Sequence, residues 1–206
     1  MTGNHGNSSP VSRRSVLTAG GAALAVVLGL SGCAQEDALA QQAKAGDNKN
    51  YVAGDGSVTE FAAADRKSAI AIKGTLFDGT AVTPEAFQGQ VTVLNFWFAA
   101  CAPCRVEAPE LEALHQEFKT QGVQFFGVNL RDEKATAEAF DKSFNLTYPS
   151  FNDKDGAVLL AVSGLVPPGA VPTTLVLDKQ GRVASRVLGE IQRGTLKSLI
   201  AAAVAE

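Results

Sequence analysis

Residues 91 to 98 read VTVLNFWF, an almost unbroken apolar run that follows the polar QGQ of residues 88 to 90. Alternation would mark a strand with one wet face; a continuous run marks a strand buried on both faces, as in sheets with parallel members. Downstream, Cys104, Glu107, Leu111, Leu114 and Phe118 recur at spacings of three and four. All five therefore share one face of a helix, which should run to about Lys119. A buried strand feeding such a helix commits the chain to an α/β arrangement, with the helix packed on the sheet. The rest of the pattern agrees. VQFFGVNL reads as a second buried strand, KATAEAFDKSF as a helix and AVLLAV as a shorter one. PTTLVLD and RVASRVLG read as strands joined by a KQG turn, with a closing helix from Thr195 to Val204. Upstream, Gly74 to Phe77, the Asp78-Gly79 turn, and Thr83 followed by Pro84 read as a β-hairpin leading into a short helix. The fold class expected is α/β: a central mixed sheet flanked by helices, with an N-terminal β-hairpin extension.

Between the strand and the helix stand Cys101 and Cys104. A structural disulfide between residues so close would remove little entropy from the unfolded chain, so stapling is a poor reason for the spacing. A structural zinc needs four ligands, and beyond this pair the chain after Gly32 offers only His115, Cys33 and carboxylates. Redox chemistry has positive support. Cys101 falls at a helix N-terminus, where unpaired N–H groups and the helix dipole favour thiolate over thiol. Cys104, one turn later on the buried face, is placed to attack a mixed disulfide formed at Cys101. Pro103 between them fixes one backbone angle.

Residues 1 to 15 contain Arg13 and Arg14 and no acid, and VLTAGGAALAVVLGL follows at 16 to 30. That apolar run is shorter than the about 20 residues a membrane span requires, so residues 1 to 32 read as a signal peptide. The run ends in LSGC, residues 30 to 33, which resembles the lipobox of bacterial lipoproteins. The resemblance implies a lipid on Cys33 and a protein anchored to the outer face of the cell membrane. SRRSVL, residues 12 to 17, resembles a twin-arginine export signal with Val16 in place of the usual Phe. Residues 33 to 58 are polar and Gly-rich and read as a flexible tether, leaving 59 to 206 as the folded domain. Without Arg13 and Arg14, 16 basic residues face 21 acidic ones, a net charge of −5 that argues against a nucleic-acid partner.

Several separated features point the same way: LNFWF running into Cys-x-x-Cys, Glu107 three residues after the second cysteine, Pro109 inside the helix, and VPTTLVLD at 171 to 178. From about Ile70 to Glu206 the chain resembles thioredoxin-like proteins, in particular the extracytoplasmic thiol-disulfide oxidoreductases of the TlpA and ResA type. The resemblance implies a thioredoxin-like fold in which Pro172 is cis and faces the disulfide. Its neighbour Val171 would offer backbone groups to a bound partner chain. Membrane-tethered relatives commonly have Asn at the Asn95 position and an acid at the Glu107 position. Glu107, if buried near Cys104, would take or return that thiol's proton, joining Cys101 and Cys104 as a catalytic residue. Asn95, Trp97 and Pro103 are then near-site residues. Ala100 and Ala102 depart from the family pattern, the first standing where a bulkier or polar residue is usual.

The function so implied is reduction of exported proteins such as apocytochrome c, with a membrane protein resupplying electrons. An oxidant that introduces disulfides into exported proteins, with a membrane electron acceptor, is the alternative. A non-catalytic lipoprotein carrying a metal or haem is a third reading. A peroxidase would need a Thr and Pro arrangement ahead of the reactive cysteine, and FWFAAC has neither. Neither a cofactor nor a metal is implied.

Overall fold

The computed structural model describes residues 52–206. Six strands form one sheet in the order β1-β8-β7-β4-β5-β6. They are β1 (Val58–Glu60), β4 (Thr92–Trp97), β5 (Gln124–Asn129), β6 (Ser150–Asn152), β7 (Thr173–Leu177) and β8 (Val183–Leu188). β4, β5 and β6 run parallel, while β7 pairs antiparallel with β4 and β8, and β1 antiparallel with β8. The mixed sheet expected from the sequence is therefore present. A separate hairpin, β2 (Gly74–Thr75) with β3 (Ala81–Val82), is the N-terminal extension, turning through Gly79 at φ 94°. The helix expected after it is a single 3₁₀ turn, Pro84–Phe87, with Thr83 as the cap residue.

Four helices complete the fold: α1 (Ala102–Lys119), α2 (Lys134–Phe144), α3 (Ala157–Ala161) and α4 (Arg193–Ala205). The missing alternation in the central strands has a direct cause. Val93, Phe125 and Val176 pack with Leu111, Leu114 and Phe118 of α1 and Leu196 and Ile200 of α4. Their chain neighbours Leu94, Phe126 and Leu175 face the other way, packing with Ile72, Phe87 and Phe151. Both faces are dry, so both sets of alternate residues must be apolar. A third apolar cluster sits beyond the C-terminal end of β4 and contains Trp97, Phe98, Cys101, Cys104, Ala108, Phe140 and Val171.

Two strands are absent from the sequence reading. β1 has three residues with one half-buried position, and β6 is the three-residue Ser-Phe-Asn. Neither is long enough to show a period. The backbone before β1, assigned from composition to the tether, is hydrogen-bonded to the domain: Val52 to Gly169 and Val171, and Gly56 and Ser57 to Leu188.

Candidate functional site

The site is built where β4 ends and α1 begins. Cys101 is the N-cap of α1, in extended conformation, and Pro103 lies in the first turn, where its missing N–H has no helical partner to lose. The Cys104 N–H donates to Cys101 Sγ at 3.3 Å. The two cysteines form a disulfide with Cα atoms 5.3 Å apart. Their exposures are 0% and 2%, so the bond is enclosed by its apolar cluster.

The turn ahead of Cys101 is tied to the end of β5. Asp132 Oδ2 accepts from the Ala99 N–H at 2.6 Å and from Asn129 Nδ2 at 2.7 Å. Asn129 Oδ1 in turn accepts from the N–H groups of Arg131 and Asp132. Sequence reasoning missed Asn129 and Asp132. An Asn-x-x-Asp at a strand end, in which side chains satisfy turn backbone, is the signal that would have found them.

Glu107 lies one turn beyond Cys104 on the buried face and is 1% exposed. Its Oε1 accepts from Asn95 Nδ2 at 2.7 Å and its Oε2 from the Ile191 N–H at 3.0 Å. Asn95 Nδ2 also reaches Thr174 Oγ1 at 3.1 Å. Burial pushes the Glu107 carboxyl up to about 8, against the opposing pull of the Ile191 and Asn95 hydrogen bonds; nearby Glu190 adds to the rise. Ile191 and Thr174 were not foreseen, since one acts through its backbone and the other lies 79 residues from Asn95.

Val171 packs in the same cluster as the cysteines, and the Val171–Pro172 peptide is cis. The Pro172 carbonyl accepts from the Gly189 N–H at 2.8 Å, and Thr173 Oγ1 donates to the Ala170 carbonyl at 2.8 Å. Trp97 is buried, with its ring 4.3 Å from that of Phe140. The structure thus brings Asn95, Trp97, Cys101, Pro103, Cys104, Glu107, Val171 and Pro172 into one neighbourhood. Cys33 lies outside the described residues. Among those residues, no helix is long and apolar enough to cross a membrane.

Chemically, the arrangement holds a two-electron couple whose first sulfur accepts from the Cys104 N–H and whose second lies one helical turn before a buried carboxyl. A family model described as the AhpC/TSA family matches residues 66–186. The thiol-disulfide oxidoreductase ResA of Geobacillus thermodenitrificans is 33% identical over 111 residues, covering 54% of this chain and 62% of that protein. ResA of Bacillus subtilis is 33% identical over 112 residues, covering 54% and 60%. The match thus spans about three fifths of these relatives' length. Among solved structures, a secreted thiol-disulfide isomerase from Corynebacterium glutamicum has a TM-score of 0.66 and 32% identity, covering 74% of this chain and 95% of that one. A DsbF homologue from Corynebacterium diphtheriae has a TM-score of 0.63 and 33% identity, covering 72% and 94%. With its thioredoxin-like α/β fold, its Cys101–Cys104 disulfide and thiol-disulfide oxidoreductases among its homologues, this chain belongs to the AhpC/TSA family.

Proposed function

We propose that the protein is an extracytoplasmic thiol-disulfide oxidoreductase, tethered to the outer face of the membrane through a lipid on Cys33, that reduces disulfides in exported proteins. The observation that carries this reading is a disulfide at a helix N-cap with a buried carboxyl, raised to about 8, one turn further on. In the reduced protein the Cys101 thiolate, at the helix N-terminus and facing the Cys104 N–H, attacks one sulfur of the partner's disulfide. The Cys101–partner bond forms, the partner's S–S bond breaks, and the second partner sulfur leaves as a thiolate that takes up a proton. Cys104 then loses its proton to Glu107 in its ionised form, whose share grows as pH rises towards about 8, and attacks Cys101 Sγ. The Cys101–Cys104 bond forms, and the first partner sulfur leaves and is protonated. Two electrons have passed to the partner.

A carboxyl raised to about 8 is a far stronger base than an ordinary carboxylate, which suits Glu107 to take a proton from a neighbouring thiol and to return it. The lipobox-like LSGC supports the tether. The ResA relatives, thiol-disulfide oxidoreductases by name, support the exchange chemistry; the reductive direction, with apocytochrome c as the type of substrate and a membrane electron donor as second partner, rests on the family resemblance carried by Glu107.

Trapping tests the chemistry. The reduced Cys104→Ser variant, mixed with insulin, should accumulate a mixed disulfide through Cys101, and the Cys101→Ser variant should not. Equal trapping in both would contradict the assignment of Cys101 as the attacking sulfur. For the tether, the mature N-terminus should carry a diacylglycerol mass on Cys33; an unmodified cysteine there would remove the anchor.

A further inference from the structure

The backbone around Val171 is already taken. The Val52 N–H donates to the Gly169 carbonyl at 2.8 Å, and the Val52 carbonyl accepts from the Val171 N–H at 3.1 Å, so Val52 forms a parallel bridge with Ala170. Two residues on, Gly54 lies against Gly189. A Cβ at Gly54 would run into the Gly189 nitrogen and the Leu188 carbonyl, and one at Gly189 would meet the Gly54 backbone. Glycine on both sides allows this approach of backbone to backbone. Beyond it, the Gly56 N–H donates to the Leu188 carbonyl at 2.7 Å and the Leu188 N–H to the Ser57 carbonyl at 3.0 Å, leading into β1. Residues 52 to 54 therefore run from the segment that shares the disulfide's cluster to the end of β8.

We propose that Val52–Gly54 is a strap of this chain's own backbone that occupies the docking line of a partner polypeptide and must leave before a partner chain reaches Cys101. This rests on the proposed exchange function and on Val171 being the backbone group a partner uses. Val171 has one N–H, and Val52 holds it, so the two occupants exclude one another. The strap is also built to be displaced. Val52, Ala53 and Gly54 are only half-buried, Asp55 and Gly56 are exposed, and the hold near Val171 is two backbone hydrogen bonds. Segments with so few apolar contacts open at low cost, and an extended partner that adds side-chain contacts along the same line outcompetes them.

The test uses the full chain with Gly54→Val, whose side chain cannot seat against Gly189, and with Val52→Pro, which removes the bond to Gly169 without adding bulk at Gly54. Two rates are measured for each: reduction of insulin by the reduced chain, and reduction of the chain's own disulfide by dithiothreitol. The ratio of the first to the second should rise by about tenfold or more in Gly54→Val, which dislodges both modest backbone hydrogen bonds, and by about fivefold in Val52→Pro, which removes one. An unchanged or lower ratio in the folded variants overturns the strap. A wild-type chain that exchanges with neither reagent rejects the exchange function as well, which separates the two failures. Independently of any variant, the Val171 amide in the full oxidised chain should be protected from hydrogen exchange and lose that protection in Gly54→Val; a Val171 amide open in the wild type contradicts the proposal.

Discussion

Glu107 lies under two opposed pressures: burial favours its neutral form, while the Asn95 and Ile191 donors favour the carboxylate. Burial wins, and the sign of the consequence is fixed. The unfolded chain releases this proton near 4.5 and the folded chain near 8, so between those values the folded state binds the extra proton. Stability from this group is full below about 4.5, falls as pH rises towards about 8, and is level above it. Urea midpoints at pH 5 and pH 8 should therefore fall further in the wild type than in Glu107→Gln; equal falls would contradict a proton held by Glu107. In exchange assays the same variant should slow the Cys104 step by about a hundredfold while leaving alkylation of Cys101 unchanged. Asn95→Ala removes a donor that favours the carboxylate, so the pH inflection of the Cys104 step should move upward; a downward move would contradict the hydrogen bond's role.

At the scale of elements, close approaches decide what the sheet tolerates. A Cβ on Gly127 in β5 would collide with Ser150 Oγ of β6 and Trp97 Nε1 of β4. Gly127→Ala should cost about 1–3 kcal/mol by overpacking and alter Trp97 fluorescence, whereas an unaffected melting curve would mean the sheet edge yields freely. Asp153 caps α3 from outside it, accepting from the Val158 N–H at 2.7 Å and the Leu159 N–H at 2.9 Å. Asp153→Ala should lower stability by about 1 kcal/mol, read by urea denaturation. These details mark where the sequence was legible. VTVLNFWF and VQFFGVNL announced buried strands because both faces of the sheet are dry, and α1 announced itself by its spacing. β6 did not, because Ser150, Phe151 and Asn152 become a strand only through pairing with Gly127 to Asn129. Likewise Cys101 and Cys104 were legible from local spacing, and Glu107 as a member of the same helical face, its proposed part in the site coming from the family resemblance. Thr174 and Ile191 were not, since what qualifies them is a contact across 79 and 84 residues.

At the scale of the molecule, Asp178 binds distant parts of the chain together. It is buried between Arg66, whose guanidinium donates at 3.0 Å, and Arg182, whose Nε donates at 2.8 Å, and Arg66 also pairs with Glu206 near the C-terminus. Burial pushes the Asp178 carboxyl up, but the Arg182, Arg66 and Gln180 hydrogen bonds outweigh it and hold it below its usual 3.8. Its contribution is present above that value and is lost as pH falls through the folded one, opposite in sign to Glu107. This network lies apart from the disulfide cluster, so removing it should change stability and leave exchange untouched. Among the described residues, the sheet carries one disulfide, Cys101–Cys104. Whether electrons leave it or enter it is set by that couple's reduction potential, measured by equilibration of Cys101–Cys104 against glutathione. A dedicated reductant should give a value near thioredoxin's, about −270 mV; a value near that of a strong periplasmic oxidant, about −120 mV, would make the protein a disulfide donor and contradict the reductive assignment.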